Sequence, residues 1–187
     1  MKRLTEKVAI VTGSSSGIGK AVALTFGREG ARVVVAARRQ SLCERTVAQI
    51  QMDGGEAISI PTDIADEAQV DRLFSETIRH RGRLDILVNN AGIGGGGRLI
   101  DTSTGTFDRV LNTNLRGNFL CARAGFRQML QNGGGVILNM SSVAGVQAWA
   151  GTGVYSASKH GVMALTKAMA DEGRHHKIKV CAICPGG

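Results

Sequence analysis

The stretch VYSASKHGV, Val154 to Val162, holds a phenol and an ammonium four residues apart. On a helix, positions i and i+4 share a face, so Tyr155 and Lys159 stand side by side. Tyr155 is the only tyrosine in the chain. One reading is a surface tyrosine lying against a lysine stem. The other is a proton donor tuned by a neighbouring cation. A free phenol has a pKa near 10. A unit positive charge about 4 Å away, at an effective dielectric of ~20, is worth about 4 kcal/mol. That is about three pKa units, enough to bring a phenol near neutrality, where general acid–base catalysis works best.

Such a pair needs a scaffold, and the hydrophobic pattern supplies one. Short apolar runs alternate with segments of helical spacing: KVAIVTG, then helix from Gly17; ARVVVAAR, then helix over 41–53; EAISIPTD, then helix over 66–80. LDILVNNAG is a fourth strand, followed by a long helical region over 104–131. GVILNMSS is a fifth strand, 152–174 a helix, and IKVCAICPG a sixth strand. Near-continuous apolar strands alternating with helices predict a parallel sheet covered on both faces. The expected fold is α/β, Rossmann-like and doubly wound, formed by one unit over 1–187. The glycine runs at 94–97 and 133–135 read as loops, not domain linkers. In such a sheet, ligands bind beyond the carboxyl ends of the strands.

Composition narrows the function. The chain has 187 residues, 43% of them hydrophobic and 20% charged, enough apolar content for a packed core. A net charge of +8 suits an anionic partner. The basic residues are dispersed, however, and no arginine stripe alternates with aromatics, so nucleic acid is not the expected partner. No apolar run reaches membrane-spanning length, and the first residues do not form a signal peptide. The expected location is the cytoplasm. Cys181 and Cys184 form a CxxC, but in a strand residues three apart face opposite ways. His175 and His176 fall in the loop before that strand. No metal site is expected.

The strand ends carry the remaining signals. The first strand runs into Thr12, Gly13, Ser14, Ser15, Ser16, Gly17, Ile18 and Gly19. Glycines permit a tight turn and close backbone approach, and the next helix offers free N–H groups to a phosphate. The second strand ends in Ala37, Arg38 and Arg39, where an NAD-binding fold often carries an acid for the ribose hydroxyls. Arginines here suit a 2′-phosphate, which favours NADP(H) over NAD(H). After the third strand come Thr62, Asp63 and Ile64. Asp63 either caps the next helix or accepts from the adenine amino group. The fourth strand ends in Asn89, Asn90, Ala91 and Gly92; the asparagines are either turn formers or ties between strand ends. Ser141 and Ser142 close the fifth strand.

The ordered set TGxxxGxG at Thr12–Gly19, NNAG at Asn89–Gly92 and YxxxK at Tyr155–Lys159 resembles the short-chain dehydrogenase/reductase family. NTNL at 112–115, SSVAG at 141–145 and Pro185-Gly186 match as well. The resemblance covers nearly the whole chain. It implies a catalytic tetrad of Asn114, Ser142, Tyr155 and Lys159. Tyr155 would be the general acid or base, and Lys159 would hold the nicotinamide ribose and lower the phenol pKa. Ser142 would bond the substrate oxygen, and Asn114 would anchor a water. The implied reaction is hydride transfer between a nicotinamide and a carbonyl or secondary alcohol. A non-catalytic dinucleotide-binding or scaffold form is the alternative. Cofactor contacts are expected from Gly13, Ser15, Ser16, Gly17, Ile18, Gly19, Arg38, Arg39, Asp63, Ile64, Asn90, Ala91, Gly92, Tyr155, Lys159, Pro185 and Gly186.

The chain stops just after Pro185-Gly186, where family members usually continue into a substrate lid, a last strand and part of an oligomer interface. The expectation is the greater part of a longer enzyme, a homodimer or homotetramer when complete. A natural short form is the alternative. Candidate substrate contacts are Ser142, Gln147, Trp149 and Tyr155, with Ile93, Gly94 and Val154 as further wall positions.

Overall fold

The computed structural model describes residues 2–186. Six parallel strands form one sheet in the order β3-β2-β1-β4-β5-β6. They are β1 (Val8–Thr12), β2 (Arg32–Ala36), β3 (Glu56–Ser59), β4 (Ile86–Asn89), β5 (Gly135–Met140) and β6 (Ile178–Ile183). The main helices are α1 (Gly17–Arg28), α2 (Gln40–Met52), α3 (Glu67–Arg81), α4 (Thr104–Leu111), α5 (Asn118–Gln131) and α6 (Gly153–Gly173).

Strand side chains alternate between two cores because successive Cβ atoms point to opposite faces. Ala9, Val11, Val33, Val35, Ile86 and Val88 pack with Ala23 of α1 and with Cys43 and Ile50 of α2. Ile10, Val34, Leu87 and Ile137 pack on the other face with Leu73 and Phe74 of α3 and with Leu120 and Met129 of α5. Burial on both faces explains why the strands read as continuous apolar runs. The chain order reverses between β1 and β4, which opens a crevice above their carboxyl ends.

Two local features depart from the expectations. The region over 104–131 is not one helix: Asn112–Gly117 form a π-helical turn between α4 and α5. Such turns insert an extra residue per turn and re-aim the side chains they carry. In addition, α3 is capped by Asp66, whose side chain accepts from the Gln69 N–H at 3.2 Å, and not by Asp63. Asp63 Oδ1 instead accepts from the Ala65 N–H at 3.0 Å. No helix among the described residues is long and apolar enough to cross a membrane.

Candidate active site

The crevice contains two adjoining cavities that share Gly92 and Ile93. The first, about 160 Å³, is lined by the glycine turn (Gly13, Ser15, Ser16), by Ala37, Arg38 and Arg39 after β2, and by Thr62, Asp63 and Ile64 after β3. Ala91, Gly92, Ile93 and Thr113 complete it. Gly13 has φ +67°, and a Cβ there would lie 2.7 Å from the Ala91 Cα. A Cβ on Gly19 would run into the Gly13 carbonyl and the Asn90 amide. Glycine at these two positions lets the turn close against β4.

Asn89 and Asn90 tie strand ends together. Asn90 Nδ2 donates to the carbonyls of Thr12 (3.0 Å) and Gly13 (3.3 Å). Thr12 Oγ1 accepts from the N–H groups of Asn90 (3.0 Å) and Ala91 (3.1 Å). Asn89 Nδ2 donates to Asn139 Oδ1 on β5 at 3.0 Å. Their value as turn formers is secondary to this stitching.

The arginine pair divides. Arg39 Nη2 donates to Ser15 Oγ at 3.2 Å and to Ser16 Oγ at 3.1 Å, which braces the glycine turn against α2. Arg38 is exposed and makes no hydrogen bond or ion pair among the described residues. No carboxylate follows β2: the positions are Ala37, Arg38 and Arg39. The chemistry of this donor set fits an anionic dinucleotide. The start of α1 offers free N–H groups and Arg38 offers an uncommitted guanidinium.

The second cavity, about 350 Å³, is lined by Ile18, Asn90, Gly92, Ile93, Gly94, Met140, Ser141, Ser142, Tyr155, Lys159, Pro185 and Gly186. The first turns of α6 place Tyr155 and Lys159 on one face. Lys159 Nζ lies over the Tyr155 ring, 5.7 Å from its centroid, and donates to the Met140 carbonyl at 2.8 Å. Lys159 is buried, at 4% exposure, and burial pushes its ammonium pKa down to about 8. Losing hydration disfavours the charged form, which is the direction seen. Ser142 Oγ accepts from the Ala144 N–H at 3.1 Å, which fixes the hydroxyl at the end of β5. Asn114 sits in the π turn and clamps Ile93: its Oδ1 accepts from the Ile93 N–H (2.8 Å), and its Nδ2 donates to the Ile93 carbonyl (2.9 Å). The same Nδ2 donates to Ser158 Oγ at 3.1 Å, and Ser158 donates to the Tyr155 carbonyl at 2.6 Å. Asn114 is thus bonded to both walls of the cavity.

Of the substrate candidates, Ser142 and Tyr155 face the cavity, as do Ile93 and Gly94. Gln147 and Trp149 stand exposed on the loop before α6, outside the lining. Val154 points into the protein at 6% exposure and is no wall position. Sequence reasoning missed Ser158, Asn139 and Thr166. Asn139 Nδ2 donates to Thr166 Oγ1 at 2.9 Å, so a buried polar ladder joins β4, β5 and α6 beneath the cavity. Asn139, a polar residue within the otherwise apolar β5, was the one available signal; α6 carries too many polar residues for Ser158 or Thr166 to stand out. Among the described residues no group of three or more His, Cys, Asp or Glu is placed to hold a metal. Cys121 is buried and its thiol is pushed up to about 12, and Cys184 Sγ rests 3.6 Å from Met163 Sδ.

A family model described as short chain dehydrogenase matches residues 7–187. Versicolorin reductase 1 of Aspergillus parasiticus is 42% identical over 98% of this chain and 70% of its own length. The 3-oxoacyl-[acyl-carrier-protein] reductase of Synechocystis is 41% identical over 100% of this chain and 76% of its own. Among solved structures, levodione reductase superposes with a TM-score of 0.96 at 34% identity, covering 98% of this chain and 72% of that one. An actinorhodin polyketide ketoreductase variant crystallised with NADPH gives 0.94 at 37% identity, over 96% of this chain and 70% of that one. With a complete family match laid over this crevice, the chain belongs to the short-chain dehydrogenase/reductase family of oxidoreductases, which bind a nicotinamide cofactor.

Proposed function

We propose that this chain is the cofactor-binding and catalytic unit of an NADP(H)-dependent oxidoreductase acting on a carbonyl or a secondary alcohol, with Tyr155 as general acid or base. The observation that carries the reading is the buried Lys159 ammonium held over the Tyr155 ring, in one cavity with Ser142. That cavity opens through Gly92 and Ile93 onto the arginine-rimmed one.

When bound, the cofactor supplies or accepts the hydride. The protein handles the proton and the position. Ser142 Oγ holds the substrate oxygen, and Tyr155 gives its phenol proton to that oxygen during reduction. In oxidation it takes the proton back. The Lys159 charge, in a dry setting, stabilises the negative charge that builds on the tyrosine oxygen as the proton leaves. Asn114 keeps the Ile93 loop and α6 at a fixed spacing, so the two walls cannot drift apart. Arg38 is the group that selects NADP(H), by pairing with a 2′-phosphate.

The reading includes a cytoplasmic enzyme that is a homodimer or homotetramer. An apolar groove lined by half-buried Leu115 of the π turn, exposed Phe119 of α5, and half-buried Leu165 and exposed Ala168 of α6 supplies a surface for self-association. The test is a titration of NADPH and NADH followed by nicotinamide fluorescence, with turnover measured on a panel of ketones. Tighter NADPH binding together with turnover supports the proposal. Binding without turnover of any ketone would leave a dinucleotide-binding protein and remove the catalytic assignment.

A further inference from the structure

We propose that a groove at the amino ends of the strands, at the opposite end of the sheet from the crevice, binds a compact multivalent oxyanion of the diphosphate type. Arg38 and Arg39 account for two of the 23 Lys and Arg side chains. Five others line one cavity of about 400 Å³ at this other end. Arg3 and Lys7 come from the segment leading into β1, Arg83 from the turn between α3 and β4, and Lys177 and Lys179 from the start of β6. Asp85 is the one carboxylate among the described residues that line it.

The charges in this groove do not cancel. Arg83 holds Asp85 through Nε, 3.0 Å from both carboxylate oxygens, and through Nη2 at 2.7 Å. Asp85 Oδ2 also accepts from the Val8 N–H at 3.0 Å, and Lys7 Nζ lies 3.9 Å from Oδ1. Arg83 Nη1 makes no hydrogen bond among the described residues. Arg3 Nη2 pairs with Glu29 at 3.0 Å. The side chains of Lys177 and Lys179 are exposed and form no hydrogen bond or ion pair among the described residues. With Asp85 and Glu29 set against the five cations, three positive charges remain for a ligand.

The backbone holds these groups in place. Gly133 (φ +77°) and Gly134 (φ +139°) turn the chain from α5 into β5. A Cβ on Gly134 would lie 2.8 Å from the Lys177 carbonyl oxygen, and the Gly135 N–H donates to that oxygen at 3.2 Å. Lys177 is thereby set against the glycine turn. Lys177 (φ +57°) and Glu6 (φ +63°), which precedes Lys7, are the two non-glycine residues with left-handed backbone among the described residues. Side-chain-bearing residues rarely adopt it, and both instances adjoin this groove. Asp85 also joins three strands: its N–H donates to the Val8 carbonyl at 3.0 Å, and its carbonyl accepts from the Val136 N–H at 2.9 Å. Cations from three separated segments therefore stand on a fixed floor. Gathering like charges opposes folding, and a multivalent anion offsets that repulsion. A lysine ammonium meets phosphate oxygens as a point charge, and the open Arg83 Nη1 adds hydrogen-bond donors. No aromatic side chain stands among the described lining residues, so the anionic group itself is what the groove recognises.

The experiment titrates pyrophosphate into the ¹⁵N-labelled chain and follows the backbone amide resonances, with sodium chloride at equal ionic strength as the control. The glycine turn after β1 also suits a diphosphate, so the position of the shifts decides. The expected result is a saturable shift at Gly133, Gly134, Gly135 and Lys177. Lys177→Gln and Lys179→Gln should each weaken that binding about fivefold, the worth of one unit charge about 4 Å away in water. Arg38→Asp, at the other end of the sheet, should leave it unchanged. Shifts confined to Gly13–Gly19, shifts that chloride reproduces, or no shift at all overturn the proposal. Binding at Gly133–Gly135 that neither lysine variant weakens overturns it as well. The site does not depend on the oxidoreductase reading: a chain that bound no NADPH yet gave these shifts would lose that reading and keep this one.

Discussion

Arg38 and Arg39 stand in water at one end of the crevice, while Lys159 is buried at the other. An exposed charge keeps its hydration, is screened by salt, and selects partners at little cost to folding. A buried charge is costly to hold and acts at nearly full strength on whatever lies beside it. The cofactor end is therefore built to discriminate, and the α6 end is built to do chemistry. The largest expected effect lies at the second end. Tyr155→Phe removes one oxygen from a half-buried cavity wall. Turnover should fall about 10²–10⁴-fold, with NADPH affinity changed by only a few fold. Steady-state kinetics beside a fluorescence titration separates the two. A parallel loss of binding would mean that the two ends are not distinct.

Lys159→Met tests the cost of the buried charge. Turnover should drop about 100-fold, the contribution of a positioned charge in a dry site. Stability should respond to pH in a stated direction. Burial lowers the folded ammonium pKa to about 8 from its ordinary value of 10.5. Between those values the unfolded chain binds the proton more readily than the folded one, so wild-type stability rises with pH across that window. Below pH 8 both states are protonated and the full cost of burial is present. The methionine variant carries no such cost. Its advantage over wild type, up to about 3 kcal/mol, should shrink as pH climbs from about 8 to 10.5. Denaturant unfolding at pH 7 and pH 10 measures it, and a constant gap between the two proteins would sink the assignment.

The two ends were also unequally legible from sequence. The strands, the glycine turn and the Tyr155–Lys159 pair follow from local spacing, which is where hydrophobic period and turn chemistry act. What local spacing does not carry is tertiary choice. Arg38 and Arg39 look alike in a row, yet only Arg39 reaches Ser15 and Ser16. Asp63 reads as a cap of the next helix, yet the Asp66–Gln69 pairing, which the sequence reading did not pick out, gives that place to Asp66. Val154 reads as a cavity wall by proximity to Tyr155, but neighbouring positions on a helix point about 100° apart, and it faces inward. The π turn at Asn112–Gly117 is hidden because one extra residue barely alters a helical pattern. Asn139 and Thr166 are hidden because a polar residue in an element's interior reads as a solvent position until its partner is known.

Arg38→Asp sharpens the discriminating end. NADPH binding should weaken about tenfold or more, as expected for losing a charge-assisted hydrogen bond worth about 1.5–3 kcal/mol. NADH binding should hold or improve. Arg39→Ala should weaken both cofactors alike, because Arg39 braces the glycine turn that either one must use. Paired titrations of both cofactors with both variants give the comparison. If Arg38→Asp reduced NADH and NADPH binding equally, Arg38 would not be reading a 2′-phosphate.

The smallest effects test whether the two ends are held independently. Thr12 and Thr166 are both buried, and each hydroxyl accepts hydrogen bonds from an asparagine. Thr12 Oγ1 takes backbone N–H groups from Asn90 and Ala91, and Ala91 lines the cofactor cavity. Thr166 Oγ1 takes the Asn139 side-chain amide and donates to the Val162 carbonyl at 2.7 Å, below the cavity and away from its lining. Valine keeps the shape of threonine and removes the oxygen in each case. Both variants leave buried donors unpaired, so each should lose about 1–2 kcal/mol of stability in denaturant unfolding. They should differ in binding. Thr12→Val frees the β4 end beneath the cofactor and should also weaken NADPH binding a few fold, whereas Thr166→Val should leave that affinity unchanged. If Thr166→Val weakened NADPH binding as much as Thr12→Val, the Asn89–Asn139–Thr166 ladder would be transmitting to the glycine turn, and the two ends would have to be treated as one mechanical unit.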